Sequence, residues 1–391
     1  MSGALSSIYN NMGYALSLHA KALTQLQEQV ATGSRVNRPS DAPSEAYQVM
    51  QLSTQKRYLN NYMKSIHDSM GTLSVSSGNI TEMTSIILRQ LGQVTAVMSG
   101  TNENTRDIIA EGFDSALEQI VSLANHKHLG QYIYSGSSTS TAPYAIQRTD
   151  GQITSVTYQG SYEERNVEVA AGVETNAFYI GDNLFRSDNR SAPVFSGTTG
   201  AVAGTGTSSV RGDTWLTVED LGAGNYRFSV DGGATVDSDN LQTNLALTSA
   251  TGEILYLDTT AVTSAGTELV RVPGTYDVFN TLIGIRDILQ NDNGLSDTQL
   301  TQAISNLSDS LNEMKSLLSS KQTAVGSKIG FMESLRHSIE NMTFDAEDQT
   351  SALQDADIAQ IAIDISRRDV LYQMSLSMIG RFMSTSLMDF I

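Results

Sequence analysis

The sequence predicts an α+β protein, in which long antiparallel helical arms from both termini, coiled-coil-like, carry an inserted all-β domain. Three observations predict it. The five prolines, Pro39, Pro43, Pro143, Pro193 and Pro273, leave residues 44–142 and 274–391 without any, so neither stretch holds the ring that breaks helix hydrogen bonding. Both stretches place apolar residues at alternating steps of three and four, the rhythm of a coiled-coil seam. Between them the composition changes, for residues 143–275 hold 16 of the 31 glycines and no lysine.

Taken in order, residues 1–34 contain only Lys21 and Glu28 as charges. Leu5, Ile8, Met12, Ala15, Ala22 and Leu26 fall on one helical face. Short, charge-poor helices are not stable alone in water. Residues 1–45 are therefore expected to be an assembly segment, disordered in the monomer until it packs on other segments and on neighbouring copies.

Residues 46–142 form the first arm of a helical bundle domain. From Val49 to Met98 the seam passes through Leu59, Met63, Ile66, Met70, Leu73, Ile80, Ile87 and Val94, with twelve of fifteen positions apolar. A helix of about fifty residues would extend ~75 Å. Gly71 to Asn79 (GTLSVSSGN) is its weak point, since an interior glycine costs about 1 kcal/mol against alanine. Gly71, Gly78, Ser85 and Gly92 nonetheless recur every seven residues, which predicts an unbroken helix with a closely approaching partner. A shorter amphipathic piece follows at Ile109–Leu123.

Residues 143–275 read as the β domain. Strand-forming segments at Ile153–Tyr158, Val167–Val169, Phe178–Ile180, Trp215–Val218, Tyr226–Val230, Ile254–Leu257 and Leu269–Val272 alternate with Gly/Asp/Asn/Thr clusters. Tyr226, Phe228 and Val230 alternate before Asp231-Gly232-Gly233, a hairpin signal. The Gly/Thr/Ser run from Ser196 to Ser209 is a long loop or a seam between two β pieces.

Residues 276–354 return to helix, with an amphipathic piece at Val278–Leu289 and a second seam from Leu300 to Met342. The two seams should cover each other, Leu59, Met63, Ile66 and Met70 on one helix and Leu307, Leu311, Met314 and Leu318 on the other. Each fully buried side chain of this kind contributes about 1.5–3 kcal/mol. Residues 355–391 form the second assembly segment, also disordered in the monomer, with Leu371, Met374, Met378 and Phe382 on one face and Leu387 beyond them.

Composition excludes several functions. With 24 Lys+Arg against 42 Asp+Glu the chain carries a formal charge of −18, the wrong sign for nucleic acid or an anionic membrane. There is no cysteine, hence no disulfide, thiolate metal site or cysteine nucleophile. No apolar run reaches the ~18 residues that cross a bilayer. Met1 to Met12 has no basic residue and no apolar block, so no cleaved secretory signal is expected.

A search for reactive constellations leaves none. His19, His67, His126, His128 and His337 form no H-E-x-x-H, and His126 and His128 read as a solvated surface pair. There is no G-x-S-x-G elbow and no phosphate loop, and Gly204-Thr205-Gly206 reads as linker. Asp231, Asp237 and Asp239 lack calcium-loop spacing. Arg211-Gly212-Asp213 reads as a hairpin turn before Trp215. The 14 methionines suit packing or an adaptable protein surface. No catalytic, cofactor-binding or metal-binding residue is predicted, and the chain is not expected to be an enzyme.

Val30–Ala46 (VATGSRVNRPSDAPSEA) resembles the N-terminal stretch of bacterial flagellins and hook-associated proteins, with Thr32-Gly33, Arg35-Val36-Asn37 and Asp41 in matching places. Asp355-Ala356-Asp357-Ile358-Ala359 resembles the signature that opens the C-terminal helix of flagellins. Within that superfamily, Gly130-Gln131-Tyr132-Ile133-Tyr134-Ser135-Gly136, followed by Pro143-Tyr144, is similar to the entry into the β domain of the hook-associated protein 3 family, the hook–filament junction proteins. Val156–Gly160, Asn166–Val169, Gly181–Phe185 and Asp277–Ile283 resemble further parts of that family. The chain departs from flagellins near Gly326, where Ser327-Lys328 and Gly330-Phe331 replace an Asn-Arg, and beyond about Ser191 the resemblance supplies no motif for the β domain.

The resemblance implies a flagellin-like structural subunit of the bacterial flagellum. Its terminal helices would assemble as the inner shell of a tube, in a ring of identical copies. The implied partners are hook-associated protein 1, flagellin and, before type III export to the cell exterior, a flagellar export chaperone. The alternative is flagellin itself. A remote one is a glycan hydrolase using the 16 acidic residues of the β domain, which would need two carboxylates flanking a cleft.

Overall fold

The computed structural model describes residues 2–98, 103–291 and 294–388. The chain divides into two compact units, Ser65–Ser334 and the pair Met1–Lys64 with Leu335–Ile391. In order, it forms helices α1 (Ser2–Thr32), α2 (Pro43–Met98) and α3 (Glu103–Ala124), then hairpins β1 (Lys127–His128) with β2 (Gln131–Tyr132), β3 (Tyr144–Thr149) with β4 (Gln152–Tyr158), and β5 (Arg165–Ala170) with β6 (Val173–Phe178). The short helix α4 (Gly181–Phe185) leads into strands β7 (Val194–Ser196), β8 (Val202–Ala203), β9 (Gly212–Gly222), β10 (Asn225–Val230), β11 (Val236–Asp239), β12 (Leu245–Thr248), β13 (Ile254–Asp258) and β14 (Gly266–Val272). Helices α5 (Val278–Gln290), α6 (Asp297–Gln354) and α7 (Ile358–Met388) close the chain. The expected α+β architecture, helical arms around a β insertion, is what the fold shows.

In the unit of residues 65–334, α2 runs unbroken through Gly71–Asn79. Its seven-residue repeat Leu73, Ile80, Ile87 and Val94 is buried, as are Leu311, Leu318, Val325 and Met332 at the same interval on α6. Gln322 Nε2 donates to Thr81 Oγ1 at 2.8 Å, tying the two helices together. A second face of α2, with Ser69, Thr72, Ser76, Asn79, Met83, Ile86 and Gln90, is buried too. Asn79 Nδ2 donates to the Leu123 carbonyl (3.3 Å), Gln90 Nε2 to that of Gly112 (3.5 Å), and the Tyr134 hydroxyl to that of Ser76 (3.3 Å). The weak helix formers thus sit where α3 and the chain after β2 cover the helix. That cover, not propensity, carries the segment.

The glycine repeat does something other than expected. A Cβ on Gly78 or Gly92 would meet nothing within 4 Å, and one on Gly71 would meet only His128 Nε2, at 3.4 Å. No close helix approach depends on these glycines.

The β domain is a sandwich of a five-stranded sheet (β11-β10-β9-β14-β7) and a three-stranded one (β12-β13-β8). Its core takes Leu216 and Val218 from β9, Tyr226, Phe228 and Val230 from β10, Leu255 and Leu257 from β13, and Val270 and Val272 from β14. Inward and outward residues alternate as the pleat requires. The β10–β11 turn falls at the expected Asp231-Gly232, both at positive φ (47° and 63°). The run after Ser196 carries the chain from one sheet to the other between β7 and β8, the seam reading. Arg211-Gly212-Asp213 is not a hairpin turn. Gly212 opens β9, pairing with Val272 of β14, and the buried Asp213 accepts a hydrogen bond from the Tyr276 hydroxyl at 2.6 Å. Arg271 Nε donates to that same hydroxyl (3.0 Å) and its Nη2 to Ser310 Oγ (3.1 Å), anchoring the sandwich on α6.

In the other unit, α1 packs against α7, and Lys56 of α2 pairs with Glu347 of α6 at 2.6 Å.

Candidate assembly surface

Two sequence stretches more than three hundred residues apart meet at the foot of the α1–α7 pair. Gly33 ends α1 with φ of 69°, the left-handed turn that glycine adopts at no cost. The chain then bridges Ser34 to Asp355 in antiparallel register. Arg35 N donates to the Gln354 carbonyl (2.6 Å) and Ala356 N to that of Gly33 (3.0 Å). The Arg35 guanidinium reaches both Glu45 (2.6 Å) and the Leu353 carbonyl (2.9 Å).

Asp41 Oδ2 closes the loop by accepting from Asn37 N (3.3 Å) and Arg38 N (2.9 Å), while Arg38 pairs with Glu28 at 3.1 Å. Asp357 Oδ1 accepts from Gln360 N at 3.0 Å, satisfying a free donor at the start of α7 as an N-cap does. Gly33, Arg35, Asn37, Asp41, Asp355, Ala356 and Asp357, on which the family resemblance rests here, thus each have a bond to make. Together they form a latch joining the terminal helices to α2 and α6.

Above the latch, α7 carries apolar residues on two faces. The one toward α1 carries Ile361, buried at 7% exposure, and the half-buried Ile365, Tyr372 and Ile379. The opposite face carries Ile363, Val370, Met374 and Met378, 55–61% exposed, while Leu371, at 40%, flanks the groove that α7 shares with Ala22 and Leu26 of α1. On α1, Met12, Ala15, Ala22 and Leu26 are half-buried, whereas Tyr14 and Leu18 are exposed. Large apolar side chains exposed at this density, with Arg367 among them, are what a protein-covered surface presents.

The predicted assembly residues thus fall in two classes. Met12, Ala15 and Leu26 lie on the half-buried side of α1, Met374 and Met378 lie on the open side of α7, and Leu371 borders the groove between the two helices. The side chains of Leu5, Ile8, Phe382 and Leu387 lie outside the described residues. Of the predicted helical seam, Leu59, Ile66, Leu307, Leu311, Met314 and Leu318 are buried and Met63 and Met70 half-buried. Ile361, Ile363, Ile365 and Val370 are absent from the sequence-based set. Their signal was present, because isoleucines at 361 and 365 step by four while 363 and 370 step by seven on the other side.

The Gly130–Gly136 stretch holds the helices to the β region of the larger unit. Tyr134 is buried edge-on to Phe185, with centroids 4.9 Å apart, and burial pushes its phenol up to about 12. Gly136 has φ of 60°, and a Cβ there would lie 2.4 Å from the Ser161 carbonyl oxygen.

Comparison with known proteins agrees with this geometry. Residues 6–139 match the bacterial flagellin N-terminal helical region. The chain is 26% identical over 162 residues to flagellar hook-associated protein 3 of Escherichia coli (strain K12), covering 41% of this chain and 49% of that one. It is 26% identical over 165 residues to the protein of the same name from Salmonella typhimurium, covering 42% and 50%. Over its N-terminal third the chain is thus similar to the flagellin helical region, and over about two fifths of its length to hook-associated protein 3.

The chain spans about half the length of these curated relatives that it matches. Among solved structures, hook-associated protein 3 of Legionella pneumophila superposes with a TM-score of 0.52 at 17% identity, over 78% of this chain and 97% of that one. A structure of the junction protein FlgL from the same organism gives 0.50 at 18%, over 80% and 99%. At such identities the likeness carries the fold.

Proposed function

We propose that the chain is a structural subunit of the bacterial flagellum, joining hook to filament outside the cell and assembling through its terminal helices. The observation that carries this reading is α7, which packs one apolar side on α1 and still leaves Ile363, Val370, Met374 and Met378 exposed around Arg367 on the other. Copies of the chain, stacked as a ring with their α1–α7 pairs side by side, would cover the open face. Hook-associated protein 1 and flagellin are the partners on the two sides, and an export chaperone shields the same apolar helices before secretion. The relatives over the matched half are structural flagellar proteins, which supports a non-enzymatic role.

The order of residues 1–45 and 355–391 comes mainly from assembly, with 46–142 and 276–354 as bundle and 143–275 as the outward β domain. Flagellin itself has the same architecture, but the curated relatives bear the junction protein's name. Deleting the gene tests the reading. Bare hooks with flagellin shed into the medium are expected. Bare hooks without shed flagellin would make the chain the filament protein, and normal filaments would end the proposal.

A further inference from the structure

A cleft of about 570 Å³ opens within residues 65–334, in the size range of small-molecule sites. Its floor is the buried trio Tyr144, Phe185 and Phe279, with Tyr144 and Phe279 centroids 4.5 Å apart. One wall is β4 from Thr154 to Tyr158, continued by Tyr162, which meets Tyr158 edge-on at 5.3 Å and is 65% exposed. Asp182 and Arg186 face it from α4, Asp277 and Asn280 from the start of α5, and Thr251 from the β12–β13 turn.

The rings are held in place before any ligand arrives. The Tyr158 hydroxyl shares its one hydrogen between the carbonyls of Tyr134 (3.2 Å) and Ser161 (3.0 Å). A Cβ on Gly160 would strike the Tyr158 ring at 2.3–2.9 Å, and one on Gly181 would lie 2.8 Å from the Tyr144 hydroxyl. Glycine at both positions is what lets these tyrosines sit where they do.

Asp182 and Asp277 both line the cleft, and both are engaged. Asp182 pairs with Arg186 at 2.6 Å. Asp277 accepts from Phe279 N (2.9 Å), Asn280 N (2.8 Å) and Asn280 Nδ2 (2.7 Å). Asp182 is thus neutralised by its arginine, and Asp277 is committed to capping α5. What remains is the exposed ring of Tyr162 beside the half-buried Tyr158, backed by the buried trio, with threonine and serine hydroxyls, an amide and a neutralised ion pair around them. A sugar ring fits that chemistry, since its C–H face packs on aromatic rings and its hydroxyls both donate and accept.

We propose that the cleft between β4, α4 and α5 binds a short neutral saccharide without cleaving it. This inference does not rest on the assembly reading, because the cleft uses none of the terminal helices. The test applies the full chain to an array of neutral and acidic glycans, then measures saturation-transfer NMR with the best-retained neutral oligosaccharide. Tyr162→Ala and Thr157→Arg, both at exposed positions, serve as variants, with their melting temperatures measured alongside to show that they fold. Retention of neutral glycans that falls at least ten-fold in both folded variants is expected. No glycan retained above blank, retention of acidic glycans alone, or equal retention by wild type and variants would overturn the proposal.

Discussion

Among the described residues, the unit of residues 65–334 holds 57 of the 63 buried apolar side chains and 10 of the 25 exposed large ones. The other unit, with its terminal helices, holds the remaining six buried and fifteen exposed. A core of the first kind supports itself, since burial of each large side chain contributes about 1.5–3 kcal/mol. The second has secondary structure, a latch and a surface, but little interior. The difference teaches where to look for function. In the compact unit apolar residues explain stability, and in the terminal unit they are left over for something else to cover.

The largest expected effect should separate the two units. Leu311→Asp puts a lone carboxylate at a fully buried position of α6 and should cost about 3–5 kcal/mol, collapsing the cooperative transition in urea. Met63→Asp, at a half-buried position of the terminal unit, should cost about 1 kcal/mol. Equal midpoints for the two variants would break the contrast.

Next comes Gly136→Ala. The position needs positive φ and has no room beside the Ser161 carbonyl, so a loss of about 2–3 kcal/mol is expected, read as a lower melting temperature. An unchanged one would show that the turn can relax.

The pH response should belong to the compact unit. Burial pushes the carboxyls of Asp182, Asp213, Asp231, Glu253, Glu268 and Asp277 above their ordinary range. Between the ordinary and the raised values the native state binds more protons than the unfolded one, so stability falls as pH rises through that window. Glu118 and Asp237 move the other way, held down chiefly by hydrogen bonds from Arg148 and Arg227, and lose their contribution only in stronger acid. The melting temperature should therefore rise from neutral to mildly acidic pH before it falls. A steady fall over the same range would contradict the assignment.

The smallest effect on stability is expected at the latch. Arg35→Ala removes exposed bonds to Glu45 and the Leu353 carbonyl, worth about 1 kcal/mol or less. Its readout is limited proteolysis, which should trim residues 1–34 and 370–391 from the wild type and do so faster in the variant. Tails that resist protease in the isolated chain would show that they order without partners.

Much of this contrast was legible in the sequence. Leu59, Ile66, Leu73 and Ile80 announce their burial by a seven-residue step, because one helix face meets one partner. The alternation of Tyr226, Phe228 and Val230 before Asp231-Gly232 places a strand and its turn. Short edge strands such as β8 (Val202–Ala203) were not legible, since two residues carry no period and owe their state to β13 beside them. Ser76 and Asn79 looked like helix breakers because their partners, Tyr134 and Leu123, lie about fifty residues away. The latch was visible only as two resemblances, and nothing in either stretch says that Ser34 meets Asp355. The aromatic cleft was scattered over Tyr144, Tyr158, Asp182 and Asp277, which only folding gathers.

The central claim is that the open face of α7 is the surface through which copies assemble. Its most direct test complements a deletion strain with the triple variant Val370→Ser, Met374→Ser and Met378→Ser, all at exposed positions. The purified variant should melt as the wild type does, and the cells should show bare hooks while shedding flagellin into the medium. Full-length filaments on cells making only the folded variant would contradict the account.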